Sequence, residues 1–297
     1  MHEAIETAAA FTAVATPALR GELLLPTRAR GALSAVVILN SSAGVCDVRE
    51  RFYARFLADN GLAALVVDSF GPRGLADTTR DQSLFYDQDM ERDAYVAYDF
   101  LAADSRFDPG RIAVMGVSKG GYAALNTGLL ARRAWFFRPA ADFAARVALV
   151  PPAHLQQRNV RTDGRPLLVL LAGLDDLTGT VQPAAFVERI RAGGRPDVVT
   201  VHYPQARHAW ERPGPPLWLE RAENYCGHTL LVEDDGRLAD AADGRRLTLA
   251  EFYADRERYR TFGGHAGGGT PALKNQAATD IVRFLTGPGG LIGCTRS

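Results

Sequence analysis

The sequence predicts an α/β fold, a mostly parallel central sheet with helices on both faces. Three observations carry this expectation. Apolar runs bounded by turn residues recur along the chain, and most of the later ones are continuous rather than alternating, as strands covered on both faces read. Helical stretches separate these runs, which is the rhythm of a parallel sheet. At 297 residues and 47% hydrophobic, the chain is long and apolar enough to bury a large core.

Taken in order, the expected strands are residues 21–25, 35–39, 63–67, 112–115, 147–150, 167–171 and 198–203. The first helix is signalled by Asp47 with Glu50 three residues later, the pattern of a capping box, and its apolar stripe is Phe52, Phe56 and Leu57. A second helix over 89–103 buries Met90, Ala94, Ala97 and Leu101. A third follows Ser118, a fourth covers 183–191, and the last, 277–285, presents Ala277, Ile281 and Leu285 at spacings of four. Between 211 and 270 the rhythm stops. Asp235-Gly236 reads there as a hairpin turn, Thr248 and Glu251 cap a short helix, and GGHAGGG reads as a flexible connector. We therefore expect one domain over 1–297, with an insertion at about 211–270 and a frayed tail at 287–297.

Composition narrows the function. Thirty-four basic residues balance thirty-four acidic ones, so no electrostatic footprint points to nucleic acid or to an anionic membrane surface. The N-terminus is acidic where a signal peptide is basic, and no run approaches the roughly 18 to 20 apolar residues of a membrane span. A cytoplasmic protein with no membrane association is expected. Cys46, Cys226 and Cys294 are widely spaced and contain no C-x-x-C pair, and no histidine has a second ligand at zinc spacing. No metal or other cofactor is expected. The acidic stretch 232–244 places Ala239 and Ala241 where a calcium loop needs oxygen ligands, and reads as a solvated surface.

The chemistry starts at RIAVMGVSKGG, residues 111–121, where an apolar strand runs into Gly116-Val-Ser118-Lys-Gly120 and a helix-forming stretch follows. Glycine at 116 and 120 permits a turn too sharp for side chains. Such a turn lifts the Ser118 hydroxyl above the carboxyl edge of the sheet, beside backbone N–H groups that favour an oxyanion. This is the nucleophile elbow. A dinucleotide fingerprint needs glycine where Ser118 stands, and no G-K-S or G-K-T phosphate loop occurs.

A serine hydroxyl is a weak nucleophile at neutral pH, so Ser118 needs a histidine base and an acid that fixes the histidine tautomer. In α/β-hydrolases these follow in the order serine, acid, histidine. The strand 167–171 ends in Ala172-Gly-Leu-Asp175-Asp176, and the next ends in HYPQARHAW, which places His208 in the loop beyond it. Of the six histidines, His265 in the Gly-rich segment is the competitor. His154, in the loop after Pro151-Pro152, reads as a surface or hydrogen-bonded histidine, as do His2 and His228.

The motifs RIAVMGVSKGG, VVDSFGPRG, PLLVLLAGLDDLT and VHYPQARHAW together resemble the dienelactone hydrolase family of α/β-hydrolases over about residues 21–285. The resemblance implies Tyr203, Pro204, Ala206 and His208 as the family's Tyr-Pro-x-Ala-x-His motif. Counting from Pro166, it implies Asp175 as the acid, although counting from Gly173 selects Asp176. Founding members carry cysteine as nucleophile, so Ser118 points to an esterase-like branch. The cysteine pair of some relatives is not expected, because Thr261-Phe262 stand near where the partner of Cys226 would lie.

The reading is thus a serine hydrolase that cleaves a small carboxylic ester or lactone, with Ser118 as nucleophile, His208 as base and Asp175 as orienting acid. The Lys119 N–H and Ser42, or its neighbour Ser41, in the loop 40–44 would hold the oxyanion. Arg73, Arg80 and Arg207 are the candidates to grip a substrate carboxylate, and Phe70, Phe85, Tyr86 and Trp210 the candidates to line an apolar pocket. Trp135, Phe136 and Phe137 read as a cap or packing element after the elbow helix. Amide or thioester cleavage uses the same machinery. A non-catalytic ligand-binding protein of the same fold is the rival, and it would be favoured by loss of a triad member.

Overall fold

The apolar runs become the strands of one sheet. The structure, a computed structural model, describes residues 6–11, 19–27, 31–136, 143–195 and 197–287. Its main sheet contains β1 (Glu6–Phe11), β2 (Leu19–Leu24), β3 (Leu33–Leu39), β4 (Ala63–Asp68), β5 (Phe107–Val117), β6 (Arg146–Leu149), β8 (Leu167–Ala172) and β9 (Val199–Tyr203). A short strand, β7 (Leu155–Gln157), belongs to a second sheet. The order across the main sheet is β1-β2-β4-β3-β5-β6-β8-β9. The pairs from β4 to β9 are parallel, and β1 and β2 are antiparallel additions at one edge. The strand β1 has no counterpart among the sequence expectations.

Both faces of the sheet are covered, which is why its strands read as unbroken apolar runs. In β3, Val36 and Ile38 pack with Tyr53, Leu57 and Ile281, from helices α1 (Glu50–Asp59) and α7 (Pro271–Thr286). The alternate residues Ala35, Val37 and Leu39 pack with Met90, Ala94 and Leu101 of α2 (Asp87–Ala102) on the opposite face. Helix α3 (Lys119–Asn126) follows the elbow, and the short α4 (Leu130–Trp135) comes next. Leu167 and Val169 of β8 pack with Phe186 and Ile190 of α5 (Val181–Ala192).

Two helix starts differ from expectation. The predicted capping box at Asp47 and Glu50 does not form: Arg49 occupies the cap position without a side-chain bond to the helix backbone, and Asp47 pairs with Arg51. Glu50 is instead fully buried and accepts hydrogen bonds from Ser41 N and Cys46 N. It has become an anchor for the loop after β3. Helix α7 begins six residues before the expected 277, because Thr270 caps Leu273 N and Pro271 fits the first helical position. Ala277, Ile281 and Leu285 are buried, as their spacing predicted.

The insertion is more ordered than its polarity suggested. Leu230–Val232, Leu238–Asp240 and Arg246–Leu247 join β7 in a four-stranded sheet, and the turn between the first two contains Asp235-Gly236, with Gly236 at φ 84°. Thr248 and Glu251 form a full capping box on α6 (Leu249–Ala254). Among the described residues, no helix is long and apolar enough to cross a membrane. His2, Phe137, Cys294 and the tail beyond Gly287 lie outside the described residues.

Candidate active site

Parallel register brings the functional loops to one edge. Leu39 pairs with Gly116, Val117 with Leu149, and Ala172 with Tyr203, so the loops after β3, β5, β6, β8 and β9 all leave from the carboxyl end of the sheet. Ser118 sits at φ 57° and ψ −120°, a strained conformation that non-glycine residues adopt at a cost of about 1–3 kcal/mol. Its N–H donates to Leu149 O at 2.8 Å, which fixes the turn to the neighbouring strand.

The glycines on either side are required by space. A Cβ on Gly116 would lie 2.2 Å from the Gly120 carbonyl carbon, and one on Gly120 would lie 2.6 Å from the backbone oxygens of Leu39 and Asn40. Backbone cannot yield there as a flexible side chain can. Gly116→Ala is therefore expected to destabilise the fold by about 3 kcal/mol, read from the urea midpoint. An unchanged midpoint would contradict this packing.

The loops after β8 and β9 are bound together. Gly173 N donates to Tyr203 O and Leu174 N to Ala206 O, both at 2.9 Å, and Gly173 lies so close to Pro204 that a Cβ would stand 2.4 Å from the Pro204 oxygen. Across this junction His208 Nδ1 and Asp175 Oδ2 are 2.8 Å apart, and both residues are buried. Asp175 Oδ1 accepts from Leu177 N and Thr178 N, and Oδ2 from the Thr178 hydroxyl. Burial pushes the Asp175 carboxyl up, but His208 and these donors outweigh it and hold it below the ordinary carboxylate range.

The two competitors, Asp176 and His265, pair with each other. His265 Nδ1 lies 2.7 Å from Asp176 Oδ2, and His265 N donates to Asp176 Oδ1, with both side chains substantially exposed. The Gly-rich segment that carries His265 is no loose connector. His265–Ala266 pairs with Leu217–Trp218, and Gly267 N donates to His208 O at 2.7 Å. A Cβ on Gly269 would stand 1.6 Å from Trp210 O. The glycines let this segment pack directly behind the loop that bears His208.

Ser118, His208 and Thr178 line a cavity of about 280 Å³, together with Ser42, Lys119 and Cys46. In the loop after β3, Ser41 N–H is taken by Glu50. The backbone N–H groups of Ser42 and Lys119 have no hydrogen-bond partner among the described residues. The Ser42 hydroxyl donates to Gln82 Oε1 at 3.1 Å. One wall of the cavity comes from the insertion, including Leu219, Tyr225 and Tyr253. From sequence, His265 was the one residue of this segment considered for the site.

Other candidates lie elsewhere. Arg73 does not line the cavity: its guanidinium grips Asp93 with two bonds of 2.8 Å, donates to Ser69 O and lies over the Phe85 ring, so it braces the loop after β4. Arg80 borders a second depression, of about 440 Å³, with Trp218 and Arg221. Neither Arg207 nor Trp210 lines the cavity; Trp210 is 1% exposed and packs edge-on against Tyr203 in the core. Phe70 and Phe85 are likewise core residues in mutual contact, while Tyr86 stacks on Tyr253.

The sequence reading missed Arg212, His154 and Asp87, all of which line the cavity. For His154 a signal existed, since Pro151-Pro152 follows a strand whose carboxyl end lies at the same edge as the elbow. Asp87 looked like any acidic residue at a helix start. Cys46 and Cys226 are free thiols, and burial, with Asp175 nearby, pushes the Cys226 thiol up to about 12.

The sequence pattern of the dienelactone hydrolase family matches residues 19–229. No curated protein sequence matches the chain. Among solved structures, esterase Est2 of the Planctomycetes species Thermogutta terrifontis is 16% identical, with a TM-score of 0.55 over 69% of this chain and 83% of that one. The same esterase phosphorylated by paraoxon is 18% identical, at 0.54 over 69% and 84%. MGS-M1, an α/β-hydrolase from a Medee basin deep-sea metagenome, is 17% identical, at 0.53 over 70% and 84%. At these identities the likeness is one of fold, that of the α/β-hydrolases.

Proposed function

The chain belongs to the dienelactone hydrolase family, and from that membership as a carboxylic ester hydrolase we propose that it cleaves a small ester or lactone through an acyl-enzyme on Ser118. The observation that carries this reading is the buried His208–Asp175 bond of 2.8 Å at the cavity that Ser118 lines. His208 Nδ1 donates to the carboxylate, which leaves Nε2 as the proton acceptor, with the tautomer fixed by Asp175. Ser118 attacks the carbonyl carbon as His208 takes its proton. The imidazolium so formed is stabilised by Asp175 and returns the proton to the departing alkoxide. Water, deprotonated by the same histidine, then releases the acid and regenerates Ser118.

The oxyanion needs donors that are not already spent. Lys119 N–H, at the start of α3, and Ser42 N–H meet that requirement, whereas Ser41 N–H is engaged by Glu50. The fixed position of the loop after β3, anchored on Glu50, supports this assignment. Esterase Est2 is similar to this chain in fold, and the ester or lactone assignment rests on family membership and on the serine at 118.

The test is hydrolysis of p-nitrophenyl butyrate by the purified protein with and without EDTA. Turnover is expected, and the chelator is expected to leave it unchanged, because no group of three or more His, Cys, Asp or Glu among the described residues can hold a metal. Activity lost to EDTA and restored by zinc would overturn the serine mechanism.

A further inference from the structure

Besides the groups of the proposed mechanism, a second set of polar side chains lines the same cavity without any role in that reaction. Asp87, the first residue of α2, is 7% exposed and lines the cavity. Its carboxylate has no hydrogen-bond donor and no ion-pair partner among the described residues. Lys119, 4% exposed, lines the cavity too, and its Nζ donates to the carbonyls of Phe85 and Gln82 rather than to Asp87. The His154 imidazole, stacked on Tyr225 at 4.6 Å, has no hydrogen-bond partner among the described residues, and its Nε2 is buried. Tyr253 stands beside them with its hydroxyl equally unengaged among the described residues.

A buried polar atom without a partner costs free energy, and the His154 Nε2 is one; with the Asp87 carboxylate and the Tyr253 hydroxyl also unbonded at the same cavity, the set is placed to receive a polar group. Charge selects that partner. Asp87 and Lys119 act on each other's charge, so a carboxylate or an ammonium brought to this pair meets a like charge as well as an opposite one, while Arg49, Arg212 and Glu223 line the cavity beside them. Burial, and then the charge of Lys119, push the His154 imidazole down to about 3, so it is neutral and offers one donor and one acceptor. A neutral group that both donates and accepts satisfies the whole set: its O–H is given to Asp87, while its oxygen accepts from Lys119 or His154.

We propose that Asp87, Lys119 and His154 form a specificity subsite for a hydroxyl group carried by the substrate away from the scissile ester. This rests on the esterase reading above and names the class of ester, a hydroxy ester rather than a charged one. The site discriminates because an ester that lacks the hydroxyl displaces cavity water from Asp87 and His154 without replacing its hydrogen bonds.

The experiment compares kcat/KM for matched pairs: p-nitrophenyl 6-hydroxyhexanoate against p-nitrophenyl hexanoate, and 6-hydroxyhexyl butyrate against hexyl butyrate. In at least one pair the hydroxy ester is expected to be favoured by roughly ten- to a hundredfold, the value of a hydrogen bond to a buried charged group. Asp87→Ala should bring that ratio to about one, and the shape-matched Asp87→Asn should lower it. Each ratio is taken within one protein, so a loss of folded material cancels. The 6-aminohexanoate and adipate half-esters should be poorer than the hydroxy ester. Hydrolysis of the plain esters with no preference for hydroxyl in either pair, or a preference that survives Asp87→Ala, overturns the subsite and leaves the esterase reading standing. A preference for the amino ester or the half-ester overturns the neutral class. Failure to hydrolyse any of these esters overturns the esterase reading and the subsite with it.

Discussion

Replacing Ser118 with alanine is expected to lower kcat by about three to six orders of magnitude while the protein stays folded. The size of the effect follows from the proposed mechanism, in which Ser118 forms the acyl-enzyme; the Thr178 hydroxyl, also at the cavity, is bonded to Asp175 on the Nδ1 side of His208, away from the Nε2 that takes the proton. Cys46 lines the cavity, but burial raises its thiol pKa, which keeps it from serving as a thiolate at neutral pH. The fold should survive because alanine removes one oxygen and leaves the backbone bond from residue 118 to Leu149 O in place. Circular dichroism and thermal melting check the second half of this expectation, and steady-state kinetics the first.

The second large effect separates the two aspartate–histidine pairs. Asp175→Asn and His208→Ala should each lower kcat by about a thousandfold or more, the first by stabilising the wrong tautomer and the second by removing the base. Asp176→Asn and His265→Ala should each cost less than about tenfold, because that pair is substantially exposed and exposed ion pairs contribute little. The double variant Ser118→Ala with His208→Ala should be little worse than Ser118→Ala alone, since residues that act as one unit are not additive. If Asp176 or His265 proves the essential residue, the base and acid are misassigned and the acyl-enzyme step still stands.

Much of this arrangement was legible in the residues. The sharp turn at Ser118 was legible because only glycine fits at 116 and 120, and steric need of that kind leaves a mark in sequence. The strands were legible because a sheet covered on both faces admits no polar residue in its centre, although β5 extends well before its apolar run. Asp175 and Asp176 could not be separated by counting, because a one-residue difference in a loop is decided by backbone direction. The bonds from Gly173 N to Tyr203 O and Leu174 N to Ala206 O set that direction.

What was hidden depended on distant partners. Arg73 looked available until Asp93, twenty residues away, engaged it in two bonds. Glu50 looked like a capping residue, yet burial against the loop after β3 made it an anchor instead. The insertion read as a polar surface because its contacts with β7 and His208 join residues far apart in the chain. Local pattern carries no record of such pairings.

The most direct test of the central claim is labelling with a fluorophosphonate followed by peptide mapping of the wild-type protein and of Ser118→Ala. The account predicts one covalent adduct per chain, on the tryptic peptide of residues 112–119, IAVMGVSK, and none on the alanine variant. An adduct on another residue, or full labelling of Ser118→Ala, would contradict it.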